Sequence, residues 1–220
     1  MERLVRGVIN FHQNVLPGLR GEFARLARGQ SPDALMIACS DSRVAPNLFA
    51  STDPGDLFVV RNPGNLVPPA NPNQEKPNGA SEAAAIEIAL EILKVRDIII
   101  CGHSHCAGMA SLLSEKGIPP NLKQWIRHGE AARRQLSDGN VFDPSLPLED
   151  QLSQLNVMSQ LENLKTYPQV GNGLKIGALR VHGWWFDIGT GNVHAFDPGK
   201  NKFVIIDEDE GERILRRIES

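Results

Sequence analysis

The chain has 220 residues, 41% of them hydrophobic, enough for one substantial core in a single large domain. A formal net charge of -3 and a pI near 6.1 leave no basic footprint for nucleic acid, and aliphatic runs of only four or five residues leave nothing to span a membrane. Three cysteines, two of them in metal-like spacing, point to a reducing compartment rather than a disulfide framework; with no apolar leader at the start, the cytoplasm is the expected location.

In chain order the pattern alternates between helix and strand. Leu4, Val8, Phe11 and Val15 recur at helical spacing, and Pro17-Gly18 is read as the stop of that helix. A short helix over 22–27 and a turn over 28–32 lead to a buried strand at 34–38, whose apolar run Ser40-Asp41-Ser42-Arg43 terminates. Cys39 therefore stands where strand gives way to loop. A short proline-started helix at 46–50 and a second strand at 57–60 follow, then a long Pro- and Asn-rich surface loop over 63–77. Residues 81–94 read as a helix apolar almost all round, hence buried on most faces. A third strand, 97–101, opens into Gly102-His103-Ser104-His105-Cys106.

Helices are expected at 108–115, 121–128, 130–136 and 149–166, the last with Leu152, Leu155, Leu161 and Leu164 facing inward. A fourth strand is placed at 174–181, a hairpin at 184–187 and 193–196, and an edge strand at 202–206. The acidic and then basic end reads as a solvated tail. These elements predict one α/β domain: a helical arm over 1–30, a core over 31–206 with a mostly parallel four- to five-stranded sheet flanked by helices, and a tail over 207–220.

The chemistry lies at two strand ends. In an open parallel sheet, ligands gather beyond the carboxyl ends of the strands, so neighbouring strands would point Cys39, Asp41, His103 and Cys106 into one crevice. A Cys ending a buried strand is by itself most often a core residue, and His-x-x-Cys alone is most often coincidence. Together they form the donor set that zinc prefers. Two Cys and one His leave the fourth position to water or to Asp41, which is the catalytic pattern rather than the closed structural one. Zinc-bound water titrates near pH 7. Arg43 can pair with Asp41 in a two-point fork and hold it off the metal; the plain alternative is a salt bridge that only orders the loop. His105 can shuttle protons or simply be solvated. Cys101 reads as core, Trp184 and Trp185 as facing opposite sides of a strand, and His12, His128, His182 and His194 lack partners at ligand spacing.

Ala38-Cys-Ser-Asp-Ser-Arg-Val44, Gly55-Asp-Leu-Phe-Val-Val-Arg-Asn62, Gly102-His-Ser-His-Cys106, Leu161-Glu-Asn-Leu and His182-Gly-Trp184 together resemble the β-class carbonic anhydrases, over roughly 4–203. The resemblance implies Zn²⁺ on Cys39, His103 and Cys106, an Asp41–Arg43 dyad, and reversible hydration of CO₂ to bicarbonate by zinc-bound hydroxide. It implies a homodimer, or a dimer of dimers, with N-terminal helices packing on the partner and the site at the subunit contact. Gln30 and Phe58 fall on the family's pocket positions. Ala107 stands in place of a glycine whose N–H faces substrate, and a methyl leaves that N–H in place where φ is negative. A regulated subgroup closes its site by putting Asp on zinc and binds inhibitory bicarbonate beside a Trp–Arg–Tyr trio. The resemblance places Met36, Arg61 and Ile88 there, so an open site is expected. Two other functions remain in view. One is hydrolysis of carbonyl sulfide or carbon disulfide on the same scaffold; the other is a silent structural zinc protein, against which Arg43 argues. No nucleic acid or membrane partner is expected.

Overall fold

The computed structural model describes residues 1–70, 80–114 and 116–219. Helix α1 (Glu2–Asn10), a π-helical turn (Phe11–Val15) and α2 (Leu16–Leu26) run on as one arm. Pro17-Gly18 does not stop it. Proline lacks one donor, and Pro17 falls in the first turn of α2, just after the ladder widens to π spacing, where a missing N–H breaks little. The expected helix over 22–27 is the end of α2.

The core follows as β1 (Ala34–Cys39), α3 (Pro46–Phe49), β2 (Leu57–Asn62), α4 (Ala80–Glu87) with a π turn (Ile88–Ile92), β3 (Asp97–His103), α5 (Ala107–Ser114) and α6 (Pro120–Ile126). A 3-10 turn (Arg127–Gly129) leads into α7 (Glu130–Ser137), α8 (Leu148–Lys165) and α9 (Pro168–Lys175). Then come β4 (Arg180–Phe186), β5 (Val193–Asp197), β6 (Lys202–Ile205) and α10 (Glu208–Glu219). The surface loop expected at 63–77 lies outside the described residues from 71 onward.

The sheet has six strands in the order β2-β1-β3-β4-β5-β6, not four or five. The first four are mutually parallel, and β5 and β6 add on antiparallel. Alternation sorts the side chains. Leu35, Ile37, Ile98 and Ile100 face the cluster under α8 and α9, while Met36, Ala38, Ile99 and Cys101 face the other side with Val44, Phe49 and Phe186. Asp97, opposite Arg180 in the register, takes a two-point pair from it at 2.8 and 2.6 Å and a 2.7 Å contact from His182 Nε2, closing the amino ends of β3 and β4.

Further expectations are corrected. Residues 174–181 are not a strand: Pro168 starts α9, and Gly177 (φ +69°) ends it. Ala178 N–H reaches Gly173 O and Gly177 N–H reaches Leu174 O, a Schellman stop that delays the strand to Arg180. The hairpin strand expected at 184–187 is the second half of that same β4. The tail is largely solvated, as expected, but it is a helix with one buried anchor rather than an irregular end. Asp207 Oδ1 caps Glu210 N–H at 2.9 Å, and Glu210, 1% exposed, pairs with Lys200, Arg213 and Arg217. The stretch over 81–94 is also less buried than expected. Ile88 is 37% and Ile92 71% exposed, so one face is uncovered in the single chain.

Candidate active site

β1 lies between β2 and β3, so the carboxyl ends of β1 and β3 are adjacent, with Ala38 opposite Cys101 and Cys39 opposite Asn62. There the sulfurs of Cys39 and Cys106 and a ring nitrogen of His103 all come within 4.8 Å of one another. All three residues are buried. His103 Nδ1 hydrogen-bonds Ser104 O at 2.8 Å, which makes Nδ1 the protonated nitrogen and turns the Nε2 lone pair inward. Nε2 has no hydrogen-bond partner among the described residues. A fully buried acceptor facing two sulfurs with nothing to satisfy it is what a soft cation would complete.

The sulfurs are prepared for charge. Gly64 N–H donates to Cys39 Sγ at 3.3 Å. The Cys39 thiol is pulled down to about 4, foremost by the hydrogen bond from Cys106, with His103 and the N–H groups of Gly64 and Asp41 helping against burial. Cys106 is pushed up by holding that same proton and by burial, while the N–H groups of Gly108 and Met109, in the first turn of α5, pull the other way. The two thiols compete for one proton, and the N–H groups around Cys39 favour the thiolate on that sulfur. Cys101 is fully buried core, its thiol pushed up to about 12 by burial.

Asp41 stands beside this group, not in it. Arg43 Nε and Nη2 donate to its two oxygens at 2.9 and 2.7 Å, and the Arg43 backbone N–H adds a third bond at 3.0 Å. The guanidinium holds that carboxyl well below the usual carboxylate range. Arg43 Nη2 also reaches His105 O at 3.0 Å, tying the β1 loop to the β3 loop. Arg61, from β2, donates Nε and Nη2 to Cys39 O at 3.0 and 2.9 Å, and Nη2 also to Asp41 O at 2.7 Å, fixing the first loop from below.

The other expected residues separate into two groups. Ala107 is the first residue of α5, with φ outside the left-handed region, so its methyl costs nothing there. His105 takes φ +54°, and its half-exposed ring places Nδ1 3.9 Å from Glu149. Gln30 and Phe58 are not brought to the site. Gln30 is exposed ahead of the amino end of β1. Phe58 pairs with Leu35, four residues before the Cys39–Asn62 pair, or about 13 Å away at about 3.3 Å per residue. Ile88 is also misplaced. Met36 packs on one sheet face, whereas α4 and its π turn cover the opposite face with Ile86 and Ala89, so Ile88 does not meet Met36. The rings packed on the Met36 cluster are Phe49, Trp184 and Phe186, with Phe186 stacked 4.9 Å from Phe49, and none of them carries a hydroxyl. The sequence reading also missed Gly64, whose N–H meets a donor sulfur, and Asp150, whose carboxylate accepts His105 N–H at 2.5 Å.

A buried imidazole and two sulfurs at the ends of neighbouring parallel strands, with an ionised acid clamped alongside, define an α/β metalloenzyme. The sequence profile described as carbonic anhydrase matches residues 34–193. A carbonic anhydrase of Pseudomonas aeruginosa is 40% identical over 210 residues, spanning 94% of this chain and 93% of its own. The solved β-carbonic anhydrase CcaA superposes with a TM-score of 0.85 at 39% identity, covering 94% of this chain and 92% of the other. A structure from work on two tetrameric β-carbonic anhydrases of Sordaria macrospora matches with a TM-score of 0.71 at 32% identity, covering 88% and 92%. The chain belongs to the β-class carbonic anhydrases, the enzymes that interconvert carbon dioxide and bicarbonate.

Proposed function

We propose that Cys39, His103 and Cys106 hold one zinc ion and that the chain hydrates CO₂ reversibly at an open site served by Asp41 and Arg43. The orphaned Nε2 of His103 between two sulfurs carries this reading. When bound, zinc lowers the pKa of a coordinated water to about 7 and so supplies a hydroxide nucleophile at neutral pH. Asp41, ionised throughout the working range, is acceptor-only, and its remaining lone pairs orient one O–H beside the substrate. Arg43 occupies both of its oxygens, which favours a carboxylate that stays off the metal. First-turn N–H groups of a helix lack intrahelical partners, so Ala107 N–H is available to a substrate oxygen. His105, exposed at the loop, passes the released proton to solvent with Glu149 beside it.

Inhibitory bicarbonate has no pocket in this reading. Arg61 spends Nε and Nη2 on backbone carbonyls, Met36 is a buried thioether, and Phe186 offers no phenol. Gln30 and Phe58 can serve substrate only from a second copy, which fits a dimer or dimer of dimers whose arm lies on the partner. Cytoplasmic residence fits three free cysteines, two reserved as donors. Among the described residues no helix is long and apolar enough to cross a membrane.

The test is stopped-flow CO₂ hydration across pH on protein of measured zinc content. Cys106→Ala should lose both metal and turnover; full zinc in that variant would sink the assignment. Asp41→Asn and Arg43→Ala should keep zinc and lose about 100-fold or more in turnover, the usual scale for a positioned acid–base group. Wild-type turnover in both would leave the pair a structural salt bridge. Activity should rise with pH along a one-proton curve at low and high bicarbonate alike.

A further inference from the structure

We infer that one polar stripe on α8, formed by Asp150, Ser153 and Asn156, positions the zinc donors; this rests on the zinc reading above and deepens it. The three follow at a spacing of three residues and so lie along one side of the helix. All are buried, at 3%, 1% and 1% exposure. Polar groups taken out of water destabilise a fold unless they are bonded, so their partners show what they are for.

Each bonds the backbone of a different site residue. Asp150 Oδ1 accepts His105 N–H at 2.5 Å. Ser153 Oγ donates to His103 O at 2.8 Å and is itself held by Trp185 Nε1 at 3.2 Å. Asn156 Nδ2 donates to Gly64 O at 3.0 Å, and Gly64 N–H donates in turn to Cys39 Sγ at 3.3 Å. Asn156 Oδ1 accepts from Gln160 Nε2 at 2.9 Å, and Gln160 Oε1 accepts Val67 N–H at 2.8 Å, which carries the stripe one turn further.

The placement of Cys106 depends most on this clamp. His105 sits at φ +54°, a conformation costly for a residue with a Cβ. That turn brings Cys106 back toward His103, three residues earlier. Asp150 holds the N–H of His105 and Arg43 holds its carbonyl, so the strained turn is pinned on both sides. Asp150 thus supports a metal donor and the Asp41–Arg43 pair through one backbone unit. These are positioning residues, since none touches substrate or metal.

The experiment measures the zinc dissociation constant by chelator competition and the visible spectrum of the cobalt(II)-substituted full-length protein. Asp150→Ala and Asn156→Ala should weaken zinc binding about 10–100-fold, the usual cost of removing an outer partner of a metal ligand, and should shift the cobalt bands. Asp150→Asn keeps a carbonyl acceptor and should restore the wild-type constant and spectrum. Leu164→Ala, on the same helix but away from the loops, should lower the melting temperature and leave both readouts unchanged. If Asp150→Ala does not fold, Ser153→Ala, which removes one oxygen, carries the same expectation. Wild-type constants and spectra in the Asn156 and Asp150 (or Ser153) variants, or an equal shift in Leu164→Ala, would overturn the inference. Full zinc in Cys106→Ala would instead overturn the zinc assignment itself.

Discussion

The arm formed by α1 and α2 and the long helix α8 are opposite solutions to the same problem. Neither α1 nor α2 contributes a buried residue, although Leu4, Val5, Val8 and Ile9 make a plainly apolar face, exposed at 66, 52, 56 and 50%. In α8 most side chains are buried, yet they include Asp150, Gln151, Ser153, Gln154, Asn156, Ser159 and Gln160. Apolar surface is outside in one helix and polar groups are inside in the other. Both inversions mark an obligation to something beyond the helix's own core. The arm presents an apolar stripe that the described residues leave uncovered, and in α8 Asp150, Ser153 and Asn156 turn inward onto loop backbones.

Charging the arm's stripe should produce the largest effect. Leu4→Glu with Val8→Glu removes the apolar face without touching the core of one chain. We expect dissociation to monomers and loss of most CO₂ hydration with secondary structure intact, read by sedimentation, circular dichroism and stopped-flow rate on the same sample. An active monomer would break the comparison, because Gln30 and Phe58 would then not be needed from a partner.

A change on the apolar side of α8 should act on stability alone. Leu164 is fully buried among Val157, Leu161 and Val170, so Leu164→Ala should cost about 2–5 kcal/mol of unfolding free energy, as large-to-small core changes do. Urea unfolding checks the size. Unchanged oligomer size and zinc content would show that helix packing and site support are separable along one element.

The same contrast explains what was legible in the sequence. Cys39, His103 and Cys106 stand out because each follows a short apolar run, and strand ends are where ligands gather. The leucines of α8 were legible by spacing, but nothing in a one-dimensional pattern says that the polar residues between them form a stripe buried against backbone. The end of the chain carried a signal that was passed over. Asp207 followed by acidic Glu208, Asp209 and Glu210, with Arg216 and Arg217 in the last turn, is the charge order of a capped helix. Pro168 and Gly177 likewise bracket α9 and argue against a strand at 174–181. Gln30 and Phe58 were placed by resemblance, and a single chain cannot bring them to Cys39 because both lie toward the amino ends of β1 and β2, opposite the site.

The smallest expected effect separates geometry from charge at Asp150. Burial raises the pKa of this carboxyl, and the hydrogen bond from His105 N–H only partly offsets that. A carboxyl whose folded pKa lies above its unfolded value binds more protons in the native state, so its contribution to stability declines as pH rises through that range. At neutral pH the ionised Asp150 therefore opposes folding, even while its oxygen holds the loop. Asp150→Asn keeps the acceptor and removes the charge. Its urea midpoint should exceed the wild-type value at pH 7, and the difference should shrink as pH falls through the raised range in which the folded wild-type carboxyl takes up its proton. A lower midpoint at pH 7 would mean that the loop needs the negative charge itself, and that α8 supports the site by electrostatics rather than by hydrogen-bond geometry.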